Sequence, residues 1–201
     1  MSVKLEPILR QRSAAILAAL LLVGLSGRVW SQPAQSQEGL PTRPEFAARG
    51  QRIADEITYG DWRKFCFRAG GSKMLCRTTI TGTFQTGQIA VRVDLIERET
   101  DGRARLQLFL PVGMYLQAGV KLKVDQGQPY PVPYTWCVTN ACIAADVADP
   151  KIIKEMESGQ TLSLEVVDTK MLSVTTSLPL GRFASVRQGA PAQSLEQDID
   201  E

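Results

Sequence analysis

Apolar and polar residues alternate along most of the chain after residue 58, and this pattern predicts β-strands. In the clearest segment, QIAVRVDLIERE at 88–99, every second residue from Ile89 to Leu95 is aliphatic. Because successive side chains of a strand point to opposite faces, we expect one buried face, with Arg92 and Asp94 on the other. Similar patterns predict strands at 62–67, 75–84, 103–110, 120–124, 162–167 and 172–178.

Prolines and turn residues indicate where this regular pattern stops. Three prolines lie close together, namely Pro129, Pro131 and Pro133. They exclude the pairing of a central strand, so 130–136 is predicted to lie at a sheet edge or in a loop. One short helix is predicted near 150–158, because Asp149 suits its N-cap and Pro150 its first position. These elements predict an all-β protein, a single β-sandwich or flattened barrel over 58–187.

The first 31 residues have the parts of a secretory signal peptide. A basic start precedes an uncharged apolar stretch from Ser13 to Leu25, and small residues follow it. This stretch is too short to cross a hydrocarbon core of about 30 Å comfortably. We predict that residues 1–31 are removed by cleavage after Ser31, with cleavage after Ala34 or an uncleaved anchor as alternatives. The mature chain then has no transmembrane segment, and its predicted location is the periplasm, with outer-membrane association or secretion as alternatives.

Two further segments are predicted to lie outside the strand-rich domain. Residues 32–57 start with a stretch rich in Gln, Pro and Ser, which is typical of a linker. Within them, 44–57 has a proline at its start and apolar residues spaced as in one short helix. The final six residues, EQDIDE, contain four acids, so 188–201 is predicted to be an acidic flexible tail.

Composition and charge exclude several classes of function. The chain has no histidine, which excludes Ser-His-Asp and Cys-His catalysis and His-ligated zinc. Of its 23 basic and 21 acidic residues, 19 and 20 remain without residues 1–31. The resulting net charge of −1 argues against nucleic-acid binding. We predict no catalytic residues, no cofactor and no metal site, with a hydrolase that uses carboxylates such as Asp61 and Asp125 as the alternative.

The chain has four cysteines, namely Cys66, Cys76, Cys137 and Cys142. All lie in the part that is predicted to be exported, where an even number of cysteines indicates disulfides in one of three connectivities. We favour the pairs Cys66–Cys76 and Cys137–Cys142. The first pair encloses two adjacent glycines and the second encloses Asn140, which are residues that permit chain reversal.

Two surface regions are candidates for binding. Five basic residues and no acid lie between 63 and 77, namely Arg63, Lys64, Arg68, Lys73 and Arg77. This concentration indicates a contact for anionic headgroups or an acidic partner, and a solvated hairpin is the simpler interpretation. Three aromatics on the proline-rich segment are the second candidate, namely Tyr130, Tyr134 and Trp136. Rigid aromatics are frequent binding anchors, and packing over the second disulfide explains them equally well.

Several short motifs occur together in a characteristic order. They are GDWRKFC at 60–66, a second cysteine ten residues later, LPVGMYLQAGVKLKVD at 110–125, a C-x4-C pair from 137 to 142, and LPLGRFA at 178–184. In this combination the chain resembles the invasion-associated locus B family of exported alphaproteobacterial proteins. The resemblance implies an exported protein without defined catalytic residues. The proline-rich YPVPYTWC and the acidic tail depart from the family pattern.

Together the residues and the resemblance predict an exported, non-enzymatic β-sandwich that binds an envelope component or a partner protein. A periplasmic hydrolase and an envelope assembly or chaperone factor are the alternatives. Two acids that converge in one pocket would favour the hydrolase. An exposed apolar groove or an unpaired strand edge would favour the assembly factor.

Overall fold

The computed structural model describes residues 47–54, 56–70, 72–99 and 101–197, all within a compact unit that spans Pro41–Glu201. The predicted signal peptide at 1–31 lies outside the described residues. The strands are β1 (Gly50–Ile53), β2 (Ile57–Tyr59), β3 (Arg63–Ala69), β4 (Leu75–Phe84), β5 (Ile89–Arg98), β6 (Ala104–Leu110), β7 (Val120–Val124), β8 (Tyr130–Val132), β9 (Tyr134–Cys137), β10 (Cys142–Val147), β11 (Thr161–Val167), β12 (Leu172–Pro179) and β13 (Gln193–Gln197). The helices are α1 (Pro150–Ser158), α2 (Phe183–Gln188) and a short 3-10 helix at Leu116–Ala118. In these ranges no helix has the length and apolar character needed to cross a membrane.

Two sheets form the layers of the domain. One has five strands in the order β1-β12-β11-β7-β8. The other has eight, in the order β13-β3-β4-β5-β6-β10-β9, with β2 paired to β4. Neither order closes on itself, so the domain is a sandwich and not a barrel. The apolar faces of both sheets supply the buried core, which includes Val93, Leu95, Leu106 and Leu108 from one sheet and Leu122, Leu162, Leu164 and Leu178 from the other. The predicted all-β sandwich is confirmed.

The proline-rich segment lies at the edges of both sheets, as predicted. β8 is the last strand of the five-stranded sheet, and β9 is the last strand of the eight-stranded sheet. Pro133 separates the two strands, so the chain passes from one sheet to the other at this point. Prolines are tolerated here because an edge strand does not need every backbone N–H for pairing.

The predicted helix forms as α1. The Asp149 carboxylate accepts a hydrogen bond of 2.7 Å from the backbone N–H of Lys151, and Pro150 occupies the start of the helix. A second helix, α2, was not predicted. Its Phe183 is fully buried and packs 4.9 Å from the Trp62 ring, centroid to centroid. The Trp62 indole N–H donates to the carbonyl of Pro179, and this bond joins the two sheets.

Both favoured disulfides are present. Cys66 lies directly opposite Cys76 on β3 and β4, with 4.1 Å between the Cα atoms. Cys137 lies opposite Cys142 on β9 and β10, at 4.0 Å. Each disulfide therefore joins neighbouring antiparallel strands of the eight-stranded sheet.

The domain begins earlier than predicted, and the helix expected at 44–57 is wrong where the structure describes that segment. Residues 50–53 form β1, which runs parallel to β12, and 57–59 form β2 on β4. Gly50 already weakened a helix at this point. Pairing of β1 with a distant strand outweighs the local helical spacing. A short stretch of sequence does not reveal such a pairing.

The tail also contains structure. Residues 193–197, predicted to be flexible, form β13 and pair in parallel with β3. Glu196 lies opposite Arg68 in this register, so one acid of the tail faces a base of the sheet. The last residues, 198–201, lie outside the described part of the chain.

Candidate ligand-binding face

The eight-stranded sheet has one face on the core and one facing away from it, here named the outer face. On β5 the core takes Val91, Val93 and Leu95, so Arg92 and Asp94 point to the outer face, as the alternation predicts. The strand register places further side chains beside them, namely Arg63, Phe65, Arg77, Thr79, Thr81, Phe109, Ile143 and Trp136. Arginine and aromatic side chains are therefore neighbours on this face, as in the pairs Arg77 with Phe65 and Arg92 with Phe109.

A cavity of about 400 Å³, here named the arginine pocket, opens on the outer face. Its polar lining consists of Arg63, Arg77, Arg92, Asp61, Thr79 and Thr81. Within the described part of the chain, the side chains of Arg63 and Arg77 form no ion pair or hydrogen bond. The Arg77 guanidinium lies 5.8 Å from the centre of the Phe65 ring. Three guanidiniums face the Asp61 carboxylate in the lining and the Asp94 carboxylate beside Arg92, so an excess of one positive charge remains and the pocket favours an anion.

Arg92 is held in place by two contacts. Its guanidinium carbon lies 3.6 Å from the centre of the Phe109 ring, and its Nε lies 3.3 Å from Oδ2 of Asp94. Asp94 is only 1 % exposed and accepts a hydrogen bond of 2.5 Å from the Thr79 hydroxyl. Among the described residues, the two terminal amino groups of Arg92 form no hydrogen bond. The buried carboxylate thus attracts the Nε side of the guanidinium by charge, without a hydrogen bond to Nε, and leaves the opposite side available as a donor.

A second cavity, here named the apolar groove, lies on the other side of Arg92. It has a volume of about 540 Å³, and Arg92 and Phe109 are part of its wall. Ile89 and Val112 are 55 % and 50 % exposed although both are large apolar residues. Residues 139–141, the loop closed by the second disulfide, form part of the wall. The disulfide therefore positions one side of the groove.

The five basic residues expected at 63–77 do not share one surface. Arg63 and Arg77 lie on the outer face. Lys64 points the other way, and its ammonium group donates to the carbonyls of Arg187 and Gly189, at 2.8 and 3.0 Å, where α2 ends. Arg68 lies four residues after Lys64 on β3, so it points to the same side as Lys64, and it lies beside β13. Lys73 is exposed in the loop before β4. Strand alternation divides the segment because neighbours in sequence face opposite sides.

The three predicted aromatics also differ in their surroundings. The Tyr130 hydroxyl donates to the carbonyl of Val147 at 2.8 Å. Tyr134 packs against the core, where burial raises the pKa of its hydroxyl. Trp136 is 58 % exposed and lies opposite Ile143 on the outer face. Of the three, only Trp136 belongs to the face that carries the arginines.

Arg92, Phe109, Ile89 and Val112 were not among the predicted site residues. The alternation at 88–99 placed Arg92 on a polar face, and this was the sequence signal that could have identified Arg92 as a site residue. The partner of Arg92 across the sheet, Phe109, follows only from the register of β5 and β6. The carboxylates named for a hydrolase have separate settings, because Asp61 lines the arginine pocket while Asp125 accepts hydrogen bonds from the backbone N–H groups of Gln160 and Thr161.

The fold and the two cross-strand disulfides define a small disulfide-bonded β-sandwich. The family model described as "Invasion associated locus B (IalB) protein" matches residues 62–191, and the chain belongs to this family. The predicted resemblance is thereby confirmed. The crystal structure of invasion associated protein B from Bartonella henselae is similar, with a TM-score of 0.56 and 22 % identity over 65 % of this chain and 91 % of that one. No curated protein matches the chain.

Proposed function

We propose that this chain is an exported, non-enzymatic binding protein that attaches to an anionic component of the cell envelope through the outer face. The observation that carries the proposal is the pair Arg63 and Arg77, whose side chains form no ion pair or hydrogen bond with a described residue, beside the guanidinium of Arg92. Unpaired guanidiniums on a surface attract phosphate and carboxylate groups and form bidentate hydrogen bonds with them.

The charge distribution supports an anionic partner. Without residues 1–31 the chain has a net charge of −1, so the arginines of the outer face stand out from an otherwise balanced surface. A local excess of one sign steers association with the opposite charge. The aromatic rings beside the arginines add apolar contact area, which suits a component with both charged and apolar parts.

The disulfides and the predicted signal peptide support a periplasmic location. Both disulfides join cysteines in neighbouring strands, and such bonds form and persist in oxidising compartments.

The settings of the acids support a binding role over catalysis. Asp94 is paired to Arg92, and Asp125 binds the backbone at the start of β11.

The test uses the mature chain, starting at Gln32, and sedimentation with vesicles. We expect binding to vesicles with anionic phospholipid at low salt, no binding to neutral vesicles, and loss of binding near physiological salt, where charges are screened over about 8 Å. R77E should abolish binding. K73E changes the same charge four residues away, off the outer face, and should bind like the native protein. Equal binding by R77E, or none by the native protein at low salt, would refute the proposal.

A second candidate, an envelope assembly factor, is favoured by β9. Among the described strands β9 pairs only with β10, and its Trp136 is exposed. An unpaired edge accepts an added strand from an extended segment. Suppression of aggregation of an unfolded outer-membrane protein, lost in T135P because proline removes a backbone donor, would support this role. No suppression by the native chain would exclude it.

A further inference from the structure

The arginine pocket and the apolar groove share a wall. Arg92 lines both cavities, and the Phe109 ring under its guanidinium belongs to the groove. A molecule with a charged group next to an apolar chain therefore meets complementary surfaces on the two sides of one residue. We propose that the two cavities form one two-part site for a single-chain lipid with a phosphate headgroup. This inference rests on the proposed function and names its ligand class.

The arginine pocket provides for the headgroup. A phosphate monoester has several acceptor oxygens and carries more than one negative charge at neutral pH. Arg63 and Arg77 have side-chain donors that no described residue uses, and Arg92 adds its terminal amino groups. Thr79 and Thr81 lie in the same lining, and because the Thr79 hydroxyl already donates to Asp94, Thr81 is the threonine with a hydroxyl to offer the phosphate. Two carboxylates, Asp61 in the lining and Asp94 beside Arg92, oppose an anion, and the three guanidiniums outweigh them by one charge.

The groove provides for the chain. Its apolar lining includes Ile89, Phe109 and Val112, and two of these side chains are about half exposed. Exposed apolar side chains that line a concave surface gain free energy when an alkyl chain covers them. The two volumes, about 540 and 400 Å³, each lie in the range of a small-ligand pocket, roughly 300–1,000 Å³. The groove thus accommodates one chain rather than a bilayer surface.

The occupant follows from the charge pattern. A neutral lipid leaves the excess positive charge of the arginine pocket unbalanced, and a free phosphate leaves the groove uncovered. A partner protein is the other outcome to consider, because exposed arginines and aromatics also occur in protein interfaces. A single-chain lipid phosphate matches both cavities with one small molecule, so the lipid is the occupant for which we argue.

The probe is dodecyl phosphate below its critical micelle concentration, titrated calorimetrically into the mature chain. Dodecyl maltoside, with the same chain and a neutral head, and inorganic phosphate are the comparison ligands. We expect dodecyl phosphate to bind at least tenfold more tightly than either, because each comparison ligand fills only one part of the site.

Two matched pairs of variants separate the parts of the site. V112D places a charge in the groove, and V147D makes the same change at an exposed valine that lines neither cavity. For the headgroup, R77E reverses a charge in the arginine pocket, and K73E makes the same reversal at an exposed lysine that lines neither cavity. We expect V112D and R77E each to weaken binding of dodecyl phosphate at least fivefold, and V147D and K73E to bind normally. I89D is a second groove variant, expected to behave like V112D.

Two results would overturn the inference. One is binding of dodecyl phosphate no tighter than binding of inorganic phosphate. The other is unchanged binding in both V112D and I89D. If anionic vesicles still bind the native chain and not R77E, the proposed function survives that failure. If the native chain does not bind anionic vesicles at low salt, the proposed function itself is wrong.

Discussion

Asp94 is a carboxylate that is almost completely buried on the side of a sheet that faces away from the core. Its oxygens contact the Thr79 hydroxyl and the Nε of Arg92, and Arg92 in turn covers Phe109. A buried carboxylate is costly unless it is paired, and a guanidinium over a ring is favourable. The side chains therefore stabilise one another and hold Arg92 between the two cavities.

Asn at position 94 keeps the shape of the side chain and removes its charge. We expect D94N to lower the free energy of unfolding by about 1–3 kcal/mol, because the ion contact with Arg92 is lost and the hydrogen bond from Thr79 no longer ends on a charged oxygen. Urea unfolding measures the change. D101N is the control, since Asp101 forms its ion pairs with Arg98 and Arg103 in an exposed turn. A loss in D94N no larger than in D101N would contradict the structural role of Asp94.

Arg187 connects three elements of the fold. From α2 its guanidinium contacts Glu97 of β5 and Glu157 of α1, each at 2.6 Å. The Gln188 side chain and Arg187 together hold the pKa of Glu157 below its ordinary value. Because the lowered pKa belongs to the folded state, its contribution to stability is complete above the ordinary glutamate pKa and is lost as the pH falls through the lowered one.

Ala at position 187 removes these contacts. We expect R187A to lose about 1–2 kcal/mol of unfolding free energy at pH 7, in keeping with hydrogen bonds to charged groups. The difference from the native protein should shrink below pH 4.5, the ordinary value for this carboxyl, as Glu157 takes up its proton. R182A, at the exposed start of the same helix, should stay close to native. Urea titrations at pH 7 and in acid test this, and a difference that is independent of pH would contradict it.

The second disulfide joins an element of the fold to the candidate site. It ties β9 to β10 and closes the loop 139–141 that lines the apolar groove. The first disulfide ties β3 to β4 and lies outside both cavities. Loss of either is expected to destabilise the fold, and only loss of the second is expected to change the groove.

Serine replacement of both cysteines in each pair tests this separation. We expect C137S/C142S to lower the free energy of unfolding by about 2 kcal/mol, in line with the closure entropy of a short loop, and to weaken dodecyl phosphate binding. C66S/C76S should lose about 2–3 kcal/mol and bind like the native protein at a temperature where both variants are folded. Equal binding by the two variants would show that the loop does not define the groove.

The two disulfides indicate where the whole chain is located, because such bonds need an oxidising compartment. We expect protein isolated from its native host to begin near Gln32, to be released with the periplasm and to contain both disulfides. Intact mass measurement and non-reducing peptide mapping check this. A mass that retains residues 1–31 would contradict cleavage and favour an N-terminal anchor.

Alternation and turn residues were sufficient to predict seven strands of the sandwich, namely β3 to β7, β11 and β12, together with the helix α1 and the edge position of the proline-rich segment. The strands β2 and β10 were not predicted. The predicted features depend on neighbours in the chain: a strand shows its buried face in every second residue, and a cap or a proline acts within one turn. The two disulfides were predictable for the same reason, since each joins cysteines across one hairpin.

The strands β1 and β13 and the candidate site depended on contacts between residues far apart in sequence. β1 and β13 pair in parallel with distant strands, and a parallel partner cannot be read from a local pattern. The register of β4, β5 and β6 brings Arg77, Arg92 and Phe109 onto one face, whereas alternation turns Lys64 away from Arg63. The sequence specifies which side chains point away from the core. The lateral order of the strands decides which of these side chains become neighbours, and the packing of the whole sandwich sets that order.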